Sequence, residues 1–196
     1  MLEIRRQALR GALCDEDEGI RQAAAEALER LEAVQSLDDI LQILKSGNRG
    51  LQVRAIFALE KVQSARVYAP LLAALKVADA DIRCAAIQVL GEKKHAKALE
   101  YLVRHLKDPN PAVRVHAACA LGNFTDRRLV PYLVAELDCN DEEFVVSVLE
   151  ALGRIGAAEA EGAVLSFIQD DRLRVRLAAI KTLGCLRIDD PAGPSA

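Results

Sequence analysis

One column of leucines constrains this chain more than any other feature. Leu28, Leu59, Leu90, Leu121, Leu152 and Leu183 recur at a single constant interval, without an insertion. A fixed period of about 30 residues is the mark of stacked supersecondary units, none of which buries its apolar face alone.

Further columns share the register. Ile20, Leu51, Ile82, Val113, Phe144 and Val175 lie eight residues before the leucines, and Ala24, Ala55, Ala86, Ala117, Val148 and Ala179 lie four before. Spacings of four and eight put these side chains on one helical face, and the small residues imply close approach to a neighbouring helix. Ahead of this helix, here called B, stand Asp17, Asn48, Asp79, Asn110 and Asp141, residues that cap a helix by accepting from free backbone N–H groups. Asn110 is followed by Pro111, a favoured first helical residue. Directly after the leucines come Glu29, Glu60, Gly91, Gly122, Gly153 and Gly184, and the four glycines are expected to end helix B in the left-handed conformation. An earlier helix, A, carries Leu9, Ile40, Leu71, Leu102, Leu133 and Val164, with Leu13, Leu44, Leu75, Leu106, Leu137 and Ile168 four residues on. The fold expected is therefore all-α: an α-solenoid of six αα-hairpins spanning about 2–32, 33–63, 64–94, 95–125, 126–156 and 157–187 in one domain, 1–188, with a flexible tail from 189 to 196.

Composition narrows the chemistry. Hydrophobic residues make up 52% of the 196, enough for a continuous core, while aromatics are only 4%, which suits packed helices better than a sheet sandwich. With 26 Lys plus Arg against 29 Asp plus Glu, no strong field exists to gather a polyanion, so a nucleic-acid partner is not expected. The five cysteines, Cys14, Cys84, Cys119, Cys139 and Cys185, are odd in number and form no Cys-x-x-Cys pair; unpaired thiols in a reducing cytoplasm are expected. Met1-Leu2-Glu3-Ile4-Arg5-Arg6 lacks the apolar stretch of a signal peptide, and no segment reads as a membrane span.

The run Val113-Arg114-Val115-His116-Ala117-Ala118-Cys119-Ala120-Leu121-Gly122 resembles the signature of the short HEAT-like repeats named after phycobilisome lyases. The resemblance implies that B helices line a concave face. It also implies that the column Arg21, Gln52, Arg83, Arg114, Val145 and Arg176 forms a ladder with the Asx residues, interrupted at repeats two and five. Bilin lyase subunits share this repeat, so a partner-dependent lyase-type subunit is one reading of function; many scaffolds share it too, and fold does not fix activity. Deoxyhypusine hydroxylase, another HEAT-repeat enzyme, takes its iron ligands from His-Glu pairs, whereas His95, His105 and His116 are followed by Ala, Leu and Ala.

The sharpest chemical constellation is His116 and Cys119 with Cys84 one repeat away. Three soft ligands fall short of the four of a structural zinc site, and a Cys–His nucleophile would need an orienting carboxylate or amide and an oxyanion loop, none of which the pattern supplies. No metal, cofactor or catalytic residue is expected. Arg172, Arg174, Arg176, Lys181 and Arg187 make the last repeat basic, as a solvated face or an anion site, with Asp170 and Asp171 alongside.

What remains is a surface. After the Arg column come Gln22, Val53, Cys84, Val115, Val146 and Leu177, mostly apolar where solvent favours polar residues, and Phe57 and Cys119 extend the stripe. Covered by neighbouring B helices, the column is the shallow edge of the core; exposed, with Arg54, Lys61, Gln88, His116, Glu150, Arg154 and Lys181 beside it and Glu26, Arg30, Glu92 and Glu142 at its border, it forms the candidate site of a non-enzymatic scaffold or adaptor that holds a protein or peptide. Arg10 replaces the apolar residues of the column Leu41, Leu72, Val103, Val134 and Leu165, as in a terminal cap, so no repeat is expected before Met1. The last repeat shows no such replacement, so self-association through it, or further repeats in a longer parent protein, is expected to cover its outer face.

Overall fold

The computed structural model describes residues 2–187, the side chains of 2, 30 and 32–35 apart. The expected tail and the Arg30 side chain lie outside what is described. Eleven α-helices and no strand occur among the described residues. They fall into two compact units, 1–62 and 63–196.

The first unit holds α1 (Leu2–Ala12), α2 (Glu18–Ser46) and α3 (Arg49–Ala58). Here helix B of repeat one and helix A of repeat two, expected as separate elements, are one helix of 29 residues. The junction explains it. Residues 29–36 contain no Gly or Pro to break the helix. Nothing in the chain chemistry stops the helix.

The second unit repeats with a regularity that matches the sequence period. Helices α4 (Tyr68–Ala74), α6 (Leu99–His105), α8 (Val130–Val134) and α10 (Glu161–Leu165) each follow a 3₁₀ turn, beginning at Ala65, Ala96, Arg127 and Ala158. The second helices, α5 (Ala80–Glu92), α7 (Pro111–Asn123), α9 (Glu142–Ile155) and α11 (Leu173–Cys185), begin at the interval of the leucine column. Each first helix packs on the second helix of its own hairpin, and α5, α7, α9 and α11 pack side by side in that order. Leu90, Leu121 and Leu152 are fully buried, each adding about 1.5–3 kcal/mol of apolar burial. Leu59 in the first unit is buried as well, whereas Leu28 and Leu183 are only half-buried.

All five Asx residues cap as expected: side chains of Asp17, Asn48, Asp79, Asn110 and Asp141 accept from N–H groups two or three residues on. The glycine column does not end helices. Gly91, Gly122 and Gly153 are helical, and left-handed backbone falls three residues after each, at Lys94 (φ 48°), Thr125 (φ 51°) and Gly156 (φ 66°). The glycines serve packing instead. A Cβ on Gly91 would lie 2.7 Å from Ala120 Cβ, one on Gly122 2.9 Å from Ala151 Cα, and one on Gly153 3.3 Å from Thr182 Oγ1. Each contact is with the B helix of the following repeat.

The Arg column fixes the spacing of hairpins. Arg83 pairs bidentately with Asp108 of the next repeat, at 2.8 and 3.0 Å, while donating to the carbonyls of Val77 and Ala78. Arg114 reaches Asp141 at 2.9 Å and the Asp108 carbonyl at 3.1 Å. Burial by itself would raise the Asp108 carboxyl, but hydrogen bonds from Arg83 and the Asn110 N–H hold it below the usual range. At the two interruptions other residues take over. Gln52 donates to the Leu44 carbonyl at 3.0 Å. At Val145, which is fully buried, the uncovered carbonyl of Cys139 accepts from Arg172 of the following repeat at 3.2 Å. Arg172 occupies the sixth place of the Asx column, so the two departures compensate each other. Asp170 clamps this guanidinium with two bonds of 2.9 Å, which holds its own carboxyl down at about 2.

Candidate functional site

The outward surface of α5, α7, α9 and α11 carries ten of the candidate residues. Cys84, Val115, Val146 and Leu177 follow the Arg column, ahead of the leucines on the same helices. Cys84, Val115 and Val146 are half-buried, and Leu177 is 50% exposed, whereas Leu90, Leu121 and Leu152 have no exposure. In the first unit, described by itself, Val53 is half-buried, Phe57 is 38% exposed, and Arg54 and Lys61 are exposed.

Two adjoining depressions collect the rest. One, of about 240 Å³, is lined by Gln88, Glu92, His116, Cys119, Asn123 and Arg154. The other, of about 290 Å³, is lined by Glu150, Arg154, Lys181, Thr182 and Cys185. Arg154 is the wall between them, anchored by a 3.3 Å bond from its Nη2 to the Cys119 carbonyl. Glu92 accepts from Asn123 Nδ2 at 3.1 Å, a bond linking equivalent positions of successive repeats. Asn123, Thr182 and Cys185 are the members that sequence reasoning missed. Asn123 and Cys185 sit directly after the glycine column, as do Lys61, Glu92 and Arg154, so the signal was in the register itself.

His116 and Cys119 open on the same depression, yet among the described residues no hydrogen bond joins them and no group orients the imidazole. Burial pushes the Cys84 thiol up, only partly offset by the charge of Arg83, which leaves it a poor nucleophile at neutral pH. Among the described residues no three His, Cys, Asp or Glu side chains converge as a metal site. The cysteines are free. The other histidines pack structurally: His95 stacks on Tyr68 with ring centres 3.6 Å apart, and His105 bridges the carbonyls of Tyr101 and Leu75 at 2.7 and 3.0 Å. Two of the five basic residues of the last repeat are engaged, Arg172 with Asp170 and Arg176 with the carbonyls of Asp170 and Asp171. No helix among the described residues is long and apolar enough to cross a membrane.

A sheetless stack of αα-hairpins repeating at one fixed interval defines an α-solenoid, a protein built of repeats. Models of HEAT repeats match residues 68–147 and 130–195, and the chain belongs to the HEAT-repeat family. Its fold is similar to that of a chain in the complex of CpcE and CpcF of phycocyanin lyase from Nostoc sp. PCC7120, with a TM-score of 0.67 at 28% identity. That similarity covers 76% of this chain and 64% of the other, less than two thirds of its length. A designed armadillo repeat protein in complex with the peptide (KR)4 matches with a TM-score of 0.63 at 18% identity, over 93% of this chain and 99% of that one. An engineered protein matches with a TM-score of 0.59 at 18% identity, over 92% and 95%. No curated protein matches the chain in sequence.

Proposed function

We propose that the protein is a non-enzymatic scaffold that holds a protein or peptide segment against the surface of its second helices. The observation that carries this is the line of Val115, Val146 and Leu177, left partly open to solvent beside two depressions bordered by Glu92, Glu150, Arg154 and Lys181. Apolar surface edged by both signs of charge suits an amphipathic helix or extended segment, which gains burial from the stripe and register from the rim. Free thiols accord with a cytoplasmic setting.

The test compares Val115→Asp with Leu121→Asp. The first should keep helical content and cost about 1–2 kcal/mol, as befits a half-buried position, while protein captured from native-host cells by the wild type is lost about tenfold or more. The second should unfold its repeat. Val115→Asp unfolding as Leu121→Asp does, or retaining the same captured protein, would sink the reading.

The likeness to a chain of the phycocyanin lyase complex favours a second reading, a lyase-type subunit that acts only with a partner chain. A free bilin whose absorbance changes on addition of this protein together with the protein it captures would support that reading; an unchanged spectrum with both present would leave the scaffold alone.

A further inference from the structure

We propose that the protein associates head to tail, with the outer face of α10 and α11 of one copy docking on the first repeat of a second copy. In repeats three to five the equivalents of several exposed residues of the last hairpin are covered. Ile180 is 58% exposed, although Ile56, Ile87, Ala118 and Leu149, in the same column, have no exposure at all. Gly184 has nothing within 4 Å of an added Cβ, whereas Gly91, Gly122 and Gly153 each receive a small residue of the next repeat, Ala120, Ala151 or Thr182. Among the described residues Arg176 bonds only to carbonyls in its own loop, while Arg83 and Arg114 each also hold a carboxylate of the next repeat. A hollow of about 590 Å³ opens on the same face, between Leu165, Leu183 and Leu186. The last hairpin thus presents the surface of an internal repeat.

The internal interfaces also specify what fits there: a B helix with a small residue opposite Gly184 and a carboxylate at its start for Arg176. Repeat one of this sequence carries both. Ala27 falls in the column of Ala120, Ala151 and Thr182, while Asp15 and Asp17 fall in the columns of Asp108 and Asp141. Their side chains accept backbone N–H groups, and no cation meets either carboxylate among the described residues. Ile20, at 47% exposed, belongs to a column that is buried in repeats three to six.

Charge agrees along both helices. The start of α11, with Arg174 and Arg176, would face the start of α2, with Asp15, Asp17 and Glu18; Glu161 of α10, with Glu159 in the turn before it, would face α1, with Arg5 and Arg10. The exposed Arg10 then reads as one side of a joint. Two tails meeting would instead set the cations of α11 against themselves. A head-to-tail contact is heterologous and propagates into chains or rings.

Sedimentation of the purified protein tests this. The wild type should show masses that rise with concentration in multiples of 21.3 kDa. Gly184→Gln, which blocks the tail, and Ile20→Lys, which sets a cation against the arginines, should each stay at one mass unit while keeping wild-type circular dichroism; Ile180→Glu and Asp15→Lys serve should either fail to fold. Mixed, a tail variant and a head variant should form a one-to-one dimer and nothing larger, because each retains one competent face. A wild type that stays monomeric at high concentration, a head variant that dimerises alone, or a mixture that remains monomeric would overturn the proposal.

Discussion

Replacing the glycines of one column by alanine should give opposite signs according to what stands across from each. Gly→Ala inside a helix gains about 0.8–1 kcal/mol of helix propensity. At Gly184, the penultimate residue of α11 with open space beside it, about half of that should appear as net stabilisation of the monomer. At Gly122 the new Cβ would lie 2.9 Å from Ala151 Cα, roughly 1 Å inside ordinary contact, and backbone cannot step aside as a side-chain tip can. Overpacking of this kind costs about 1–3 kcal/mol, so Gly122→Ala should lose about 0.5–2 kcal/mol net. Gly91→Ala, with Ala120 Cα at 2.9 Å, should behave alike, and Gly153→Ala, with Thr182 Oγ1 at 3.3 Å, should fall between. Urea unfolding midpoints, read at a concentration where the protein is monomeric and with unchanged slope, would rank the variants 184, 153, then 91 and 122. Four equal shifts, or a gain at Gly122, would refute close helix approach as the reason for the column.

Other consequences follow from the backbone and the ladder. Thr125→Gly should stabilise by about 0.5–1 kcal/mol, since a β-branched residue at φ 51° is strained, and Lys94→Gly should gain less; thermal melts would show it, and a loss at both would contradict the assignment. Arg172→Ala should cost about 1–2 kcal/mol at neutral pH, because the Cys139 carbonyl and the Asp170 carboxylate lose their donor together. Asp170 sits below the usual carboxylate value of about 3.9, so its contribution is complete at neutral pH and fades as pH falls from about 4 toward 2. Acid unfolding of Arg172→Ala should therefore lack that loss, and an acid transition of unchanged shape would argue against the clamp.

The sequence by itself determined the period, the helical class and the five capped helix starts. These depend on contacts within one turn or on repetition that needs no partner: an Asx side chain reaching an N–H three residues on behaves alike in each of the five repeats that carry it. Tertiary structure alone decided what the glycines do, because the atoms that exclude a Cβ at Gly91, Gly122 and Gly153 belong to the next hairpin, far outside the reach of any local pattern. It also decided that Arg172 covers the gap at Val145, since a lost side chain in one repeat and a gained one in the next read as two unrelated departures until both meet at the Cys139 carbonyl. The stripe was legible as residues but not as surface. Whether Val115 or Leu177 meets water depends on how far neighbouring B helices overlap, and that overlap is set by the glycine contacts and the arginine ladder between repeats.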